Sequence, residues 1–213
     1  MSLKIVAIIP VKQFELSKTR LELTRNQKIV LTELMLKFTI LNLKKCKGIS
    51  SIVTISQDKR VEAISKLYGI KFIFAKEKGV NSAIWAGDDY CKENKVVSNI
   101  IVPIDLIFLN SNELELLFTE ARKYQRCSII VPSIRMDGTN LLLRKPFDIY
   151  DTSYDNNSYF NHILSSKKSR AKTIIIRSNN LSEDLDTMED YDRIITKPIN
   201  KLSQLISNIK HVI

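Results

Sequence analysis

The sequence predicts an α/β fold, in which a mostly parallel β-sheet is flanked by helices within a single domain over residues 1–213. Two observations lead to this prediction. Short apolar runs of strand length alternate with longer segments in which apolar residues recur at helical spacing. The composition, with 44% hydrophobic and 26% charged residues, is typical of a globular chain, and no Pro-, Gly- or Ser-rich linker divides it.

The first elements follow from the apolar pattern. A continuous apolar run over 4–9, bounded by Pro10, predicts a strand buried on both faces. Thr24 and Gln27 form a capping-box pattern that predicts the start of a helix, which we expect to end near Gly48. The alternation continues with predicted strands over 51–56 and 71–75 and a predicted helix over 61–67.

The second half of the chain keeps this alternation and then departs from it. Asn110 and Glu113 predict the capped start of a helix. Beyond Arg135 we expect a Gly-Thr-Asn turn at 138–140, a short apolar segment and a polar loop over 150–159, and long loops inside a compact domain are often functional. The remaining predicted elements are helices over 82–91 and 189–195 and strands over 99–105, 127–131 and 173–176.

Several classes of protein are disfavoured by composition. The N-terminal apolar run is too short to span a membrane and lacks a signal-peptide cleavage site, so a cytoplasmic protein is predicted. The three cysteines are widely spaced, which indicates reduced core residues rather than a disulfide framework or a zinc site. These residues are Cys46, Cys91 and Cys127.

The net charge of +10 indicates either a polyanionic partner or a lysine-rich solvated surface. The 33 Lys and Arg residues are scattered singly and in pairs, without a continuous basic block. This distribution favours a phosphate-rich small ligand over nucleic acid.

Ligands of parallel α/β sheets bind outside the carboxyl ends of the strands, so the residues that follow each strand are the candidates. Lys12, Lys18 and Arg20 follow the first predicted strand and suit a triphosphate, unless this loop is merely solvated. Asp105 ends another strand segment and is either a magnesium ligand or a turn former. Asp186, together with Asp184, follows the last strand and could share an ion with it.

The 138–140 segment contains Thr139 and Asn140, whose side chains either grip a phosphate or carboxylate or form an ordinary turn. Ser158 precedes a predicted helix and either caps it or binds an anion at its N-terminus. His162 lies four residues later, and a structural role is favoured over acid–base catalysis because no partner is evident.

Five segments taken together resemble one family, the 2-phospho-L-lactate guanylyltransferases and the closely similar phosphoenolpyruvate guanylyltransferases. The segments are IPVK with SKTRL, the Gly-Val-Asn turn at 79–81, PIDL, MDGTNLLL, and SYDNNSYFNH followed by EDLDTMEDY. The resemblance implies a glycosyltransferase-A-like nucleotidyltransferase fold, magnesium as cofactor, GTP as donor and a homodimer. It further implies transfer of GMP to the phosphate of 2-phospho-L-lactate, phosphoenolpyruvate or 3-phosphoglycerate, with release of pyrophosphate, in coenzyme F-420 biosynthesis.

The resemblance also assigns roles to residues. Thr139 and Ser158 match positions that bind the phospho-acid acceptor, and Asp105 matches the metal position. Asp155 stands where the family usually has glycine, and its bulk and charge bear on acceptor choice. The predicted substrate-binding residues are Asn81, Arg135, Thr139, Asn140, Asp155 and Ser158; the predicted catalytic residues are Lys12, Lys18, Arg20 and Asp105; and the predicted metal ligands are Asp105 and Asp186.

Two alternatives remain at this point. One is another nucleotidyltransferase on the same fold, although such enzymes usually carry a glycine-rich loop after the first strand, and no glycine lies between Pro10 and Thr24. The other is a non-catalytic polyanion-binding module, which would explain the net charge but gives no purpose to the Gly-Thr-Asn and Asp-Leu-Asp-Thr segments.

Overall fold

The computed structural model describes residues 4–75, 77, 79–196 and 200–209. Strands and helices alternate along most of this length, as the apolar pattern predicts. The elements in chain order are β1 (Ile5–Pro10), α1 (Arg25–Lys44), β2 (Ile49–Ser56), α2 (Lys59–Leu67), β3 (Lys71–Phe74), α3 (Val80–Glu93), β4 (Ser98–Ile101), α4 (Ser111–Arg122), β5 (Cys127–Pro132), β6 (Thr139–Lys145), α5 (Ser158–Lys168), β7 (Lys172–Ile175), α6 (Met188–Thr196) and α7 (Lys201–Ser207).

The strands form one seven-stranded sheet in the order β3-β2-β1-β4-β6-β5-β7. β1 pairs in parallel with β2 and β4, β2 with β3, and β5 with β7, whereas β6 runs antiparallel to both of its neighbours, β4 and β5. The predicted α/β class with a mostly parallel sheet is therefore confirmed. The carboxyl ends of the parallel strands and the amino end of β6 share one edge of the sheet, called the carboxyl edge below.

Both faces of the sheet are covered by helices. Successive side chains of β1 point to opposite faces, so β1 contributes to the core on each side of the sheet. Ile5, Ala7 and Ile9 enter a large core that includes buried residues of α1, α2, α4, α6 and α7. Val6 and Ile8 enter the opposite core beneath α3. This double burial explains why β1 is a continuous apolar run in the sequence.

Local signals account for most element boundaries. The capping box at the start of α1 is confirmed, since the Thr24 side chain accepts from the Gln27 amide at 3.3 Å and the Gln27 side chain accepts from the Thr24 amide at 2.9 Å. α1 ends at Lys44, short of the predicted end near Gly48. β4 also ends earlier than predicted, at Ile101, because Pro103 cannot donate a ladder hydrogen bond.

The predicted Gly-Thr-Asn turn is wrong in position. Thr139 and Asn140 are the first two residues of β6, and the turn of this hairpin lies over 133–138. The Ser133 amide donates to the Gly138 carbonyl at 2.9 Å, and the Ser133 hydroxyl accepts from the Gly138 amide at 3.1 Å. The hairpin still brings Thr139 to the carboxyl edge, because β6 starts there.

The cysteines lie where the sequence predicts them. All three are free and buried, and burial raises the pKa of each thiol. Across the described ranges, no helix has both the length and the apolar character needed to cross a membrane.

Candidate active site

The loop that follows β1 is fixed to the start of α2 by one buried carboxylate. Asp58 caps α2 by accepting from the Arg60 amide at 2.9 Å, and its other oxygen accepts from the Phe14 amide at 2.9 Å. The Arg60 guanidinium also pairs with Asp58 and lies 5.3 Å from the centre of the Phe14 ring. The loop therefore leaves the carboxyl edge in a defined direction.

Lys18 lies on this loop and points back into the site rather than into solvent. Its ammonium donates to Asp105 Oδ2 at 2.7 Å and to Asp186 Oδ1 at 2.8 Å, and its side chain is 6% exposed. Burial opposes the charged form, but the two carboxylates outweigh it and raise the pKa of Lys18. The structure thus brings together one predicted phosphate-binding cation and both predicted metal ligands.

The segment that carries Asp186 is tied to the loop after β4 by its backbone. The Leu185 amide donates to the Asp105 carbonyl at 3.1 Å. The Asp190 side chain accepts from the amides of Asp186 at 3.0 Å and Thr187 at 2.8 Å. These bonds hold the two carboxylates on either side of one cation.

A third carboxylate, Asp184, lies nearby. Burial, followed by the charges of Asp105 and Asp186, raises the pKa of Asp184 to about 7. Within the part of the chain that the structure describes, no group of three or more His, Cys, Asp or Glu side chains is close enough to hold a metal ion. Among the described residues, Asp105 and Asp186 converge instead on the ammonium of Lys18.

The other two predicted cations are exposed. Lys12 lines a cleft at the ends of β1, β2 and β3, beside the first turn of α3. The charge of Arg20 affects the pKa of Asp186. Burial raises this pKa, but Lys18 and then Arg20 lower it below its usual value. The cleft has a volume of about 240 Å³ and a mostly apolar lining formed by Pro10, Val11, Lys12, Gln13, Leu16, Ile55, Gln57, Ala75, Glu77, Gly79, Val80 and Ala83.

Thr139 and Ser158 meet on the α5 side of the sheet. The Ser158 hydroxyl accepts from the Thr139 amide at 2.9 Å, and the Thr139 hydroxyl is 2.9 Å from His162 Nδ1. Ser158 is the first residue of α5 and does not cap it, because the N-cap position belongs to Asn157, whose side chain makes no capping bond. The capping alternative for Ser158 is therefore wrong. His162 is fully buried.

Asn140 and Arg135 do not join this group. Asn140 follows Thr139 along the strand, so its side chain points to the opposite face, where its amide donates to the Leu181 carbonyl at 3.1 Å. Arg135 is exposed on the hairpin turn. Both residues lie at the carboxyl edge, but neither side chain is hydrogen-bonded to the hydroxyl groups of Thr139 and Ser158, which are called the hydroxyl pair below.

Asn81 and Asp155 contact each other. Asn81, in the first turn of α3, donates from its side-chain amide to Asp155 Oδ2 at 3.1 Å and accepts from the Tyr154 amide at 2.9 Å. The aspartate at the usual glycine position thus connects the 150–157 loop to the helix beside the apolar cleft.

A protein-family model described as "Guanylyl transferase CofC like" matches residues 5–205. The chain belongs to this family. A 2-phospho-L-lactate guanylyltransferase of Methanobrevibacter ruminantium is 31% identical over 205 residues, covering 90% of this chain and 85% of that protein. A phosphoenolpyruvate guanylyltransferase of Conexibacter woesei is 27% identical over 191 residues, covering 88% of this chain and 86% of that protein.

The fold of this CofC-like guanylyltransferase is also found among solved structures. A Desulfovibrio desulfuricans G20 protein, described provisionally as a nucleotide-diphospho-sugar transferase, superimposes with a TM-score of 0.76 at 14% identity, covering 99% of this chain and 98% of that chain. At this identity the likeness concerns the fold alone.

Some groups that shape the site of this CofC-like protein were missed by sequence reasoning. Asp58 and Asp190 resemble ordinary helix caps in sequence, and their longer contacts are visible only in three dimensions. Arg144 is 1% exposed and pairs with Asp88 through both carboxylate oxygens, at 2.7 and 2.8 Å. An arginine inside the apolar LLLRKP segment was a signal for such a buried pair.

Proposed function

We propose that this protein transfers GMP from GTP to the phosphate of a small phosphorylated three-carbon acid and releases pyrophosphate. The acceptor is 2-phospho-L-lactate, phosphoenolpyruvate or 3-phosphoglycerate, and the reaction belongs to coenzyme F-420 biosynthesis. We further propose that the enzyme works in the cytoplasm as a homodimer. Family membership supports the type of reaction, and the different names of the relatives leave the three acceptors to be separated by assay.

The proposal rests on one observation. The carboxylates of Asp105 and Asp186 converge on a single cation, the Lys18 ammonium, at the carboxyl edge. They lie next to the strands that bear the cleft and the hydroxyl pair. β1, β4 and β6 are adjacent in the sheet. Neighbouring strands are about 4.8 Å apart, so the ends of these three strands fall within roughly 10 Å. A nucleotide in the cleft and an acid at the hydroxyl pair would meet at the carboxylates.

The chemistry needs little from the protein besides position and charge. A phosphate oxygen of the acceptor attacks the α-phosphorus of GTP; the new P–O bond forms as the bond to the β-phosphate oxygen breaks, and pyrophosphate leaves. A phosphate monoester has a second pKa near 6 and is already largely dianionic at neutral pH, so no side-chain base is required. Lys12, Lys18 and Arg20 offset the charge on the triphosphate and the departing pyrophosphate.

Magnesium is proposed as the cofactor, held by Asp105 and Asp186. Hard carboxylate oxygens are the ligands that this ion prefers, and substrate phosphates commonly complete its shell. The two oxygens already converge on one positive charge, the ammonium of Lys18, so their arrangement fits a cation at this point. When bound, magnesium would neutralise phosphate charge, and Lys18 would then be free to turn towards the triphosphate.

The apolar cleft is proposed as the nucleoside site. Its walls, which include Val11, Leu16 and Ala83, suit the face of a purine. The Glu77 carboxylate at the cleft is an acceptor for the ring N–H and amino group of guanine, which adenine cannot satisfy in the same way. A preference for GTP over ATP is therefore expected.

The deciding test measures pyrophosphate release with magnesium and each of the four nucleoside triphosphates, in separate reactions with 2-phospho-L-lactate, phosphoenolpyruvate and 3-phosphoglycerate. Release with GTP and one acid would establish the activity and identify the acceptor. Absence of release for every pair, from a protein shown to be folded, would reject the proposal.

The Asp105→Ala variant tests the cation site. We expect transfer to be abolished while the fold is kept, because the side chain is only partly buried and its removal leaves no empty core position. Turnover and circular dichroism would be measured in parallel, with Asp89→Ala on α3 as a carboxylate control away from the site. Turnover near the wild-type rate in Asp105→Ala would eliminate the metal role of this residue.

A further inference from the structure

The hydrogen bonds of His162 define which of its ring nitrogens carries a proton. The Ser153 backbone amide donates to Nε2 at 3.1 Å, and a backbone amide can only donate. Nε2 is therefore an acceptor without a proton. In a neutral ring the single proton then lies on Nδ1.

The ring is neutral over the range in which enzymes work. His162 is fully buried, and burial, followed by the positive charge of Arg144, lowers the pKa of His162 to about 3. Tyr154 packs edge-on against the ring at 4.8 Å between centres, which restricts rotation of the imidazole. The neutral ring therefore keeps this proton assignment.

This assignment determines the role of the Thr139 hydroxyl. Because Nδ1 carries the proton, it donates to Thr139 Oγ1, so the hydroxyl hydrogen of Thr139 must point elsewhere. Ser158 is in the same situation, since its Oγ accepts from the Thr139 amide. Among the described residues, neither hydroxyl hydrogen has an acceptor, although Thr139 is 7% exposed and Ser158 is 4% exposed.

The two hydroxyl groups are nearly buried, and each can donate outwards. They lie at the first turn of an eleven-residue helix and together form a site for an anion. We propose that His162 is a positioning residue, which fixes the Thr139 hydroxyl as a hydrogen-bond donor to an anionic group of the acceptor. This inference rests on the proposed function for the identity of the acceptor. His162 itself moves no proton and does not touch the substrate.

The test compares His162→Leu with His162→Asn. Leucine fills similar volume but removes the donor, so the Thr139 hydroxyl is no longer held in its donating orientation. Asparagine places an amide donor near the position of Nδ1. We expect His162→Leu to raise the KM and Kd of the acceptor about ten- to a hundredfold, the usual range for a hydrogen bond to a charged group. The KM of GTP should change little, and His162→Asn should restore most of the acceptor affinity.

A double-mutant cycle with Thr139→Val separates positioning from general damage. If His162 acts through Thr139, His162→Leu should add almost nothing to the acceptor Kd once Thr139 is valine. Ser166→Ala, a buried change one turn after His162 on α5 where Ser166 contacts Thr173, is the matched control and should leave the acceptor Kd unchanged. Additive effects in the cycle, or equal losses in His162→Leu and His162→Asn, would overturn the inference.

Binding of each acid, measured by calorimetry without GTP, keeps this inference distinct from the proposed function. A wild-type protein that binds an acid but releases no pyrophosphate would reject the function while the cycle still decides the role of His162. Turnover together with an unchanged acceptor Kd in His162→Leu would reject the inference alone. A wild-type protein that binds none of the acids would reject both.

Discussion

The hydrogen bonds and the protonation state of a buried polar residue depend on the groups around it, and His162 is an example. Its ring exchanges water for two hydrogen bonds, to the Ser153 amide and the Thr139 hydroxyl, and remains neutral because burial disfavours the imidazolium form. The buried Arg144 guanidinium binds both oxygens of the Asp88 carboxylate. The positive charge of Arg144 in turn opposes protonation of His162.

The low pKa of His162 predicts a pH dependence of stability. A histidine in the unfolded chain titrates near 6.5, whereas the folded pKa is about 3. Between these values the unfolded chain binds a proton that the folded chain does not. The free energy of unfolding therefore falls as the pH falls below about 6.5, by up to about 1.4 kcal/mol per pH unit.

Urea denaturation at pH 7.5 and pH 5.0 measures this loss, with His162→Asn as the non-titrating control. The wild-type protein should lose about 2 kcal/mol more than the variant between these two pH values. Equal losses in the two proteins would mean that the ring accepts a proton in the folded state.

Among the elements, the loop after β1 and the helix α2 act as a pair. The Asp58 side chain accepts from the Arg60 amide in the first turn of α2 and from the Phe14 amide, so one carboxylate fixes both the helix start and the direction of the loop. Lys12 and Lys18 lie on that loop. The positions of these two cations therefore depend on a residue outside the candidate site.

The Asp58→Ala variant should lose stability and GTP affinity together. Loss of a helix cap and an unpaired Phe14 amide should cost about 2 kcal/mol or more. A less ordered loop should raise the KM of GTP severalfold while the KM of the acceptor changes little. Steady-state kinetics and urea denaturation check both effects, and Glu62→Ala, which removes an exposed pair with Lys66 on the same helix, should alter neither. An unchanged KM of GTP in the destabilised variant would contradict the dependence.

Elements with strong local signals could be predicted from sequence, and β6 could not. The apolar runs of β1 and β5 and the caps of α1 and α4 are encoded within a few neighbouring residues. β6 follows a tight turn centred on contacts of Ser133, and its antiparallel pairing with β4 joins distant parts of the chain. A short apolar run does not reveal its pairing partner, so sequence reasoning treated the start of this strand as a turn.

At the scale of the whole molecule, the candidate site depends on topology more than on any single motif. Residues from the loops after β1 and β4 and from the segment before α6 meet because the parallel strands end at the same edge. This rule nominated the segments that contain Lys18 and Asp105, and Asp186 was added as an acidic residue after the last predicted strand. It could not predict that the lysine would pair with the two aspartates, since that contact depends on the path of two loops.

The net charge of +10 also belongs to the whole molecule, and it yields the last prediction. Several of the cations are already paired with carboxylates of the protein, among them Lys18, Arg60, Arg144 and Arg193. The 33 Lys and Arg residues are also scattered along the sequence without a continuous basic block. Nucleic-acid binding by a basic surface weakens steeply with salt, in proportion to the number of phosphates contacted.

We expect duplex DNA at about 0.15 M salt to inhibit GMP transfer no more than inorganic phosphate at the same phosphate concentration. Strong inhibition that disappears steeply as salt rises would instead indicate a polyanion-binding surface, and would revive the binding-module alternative.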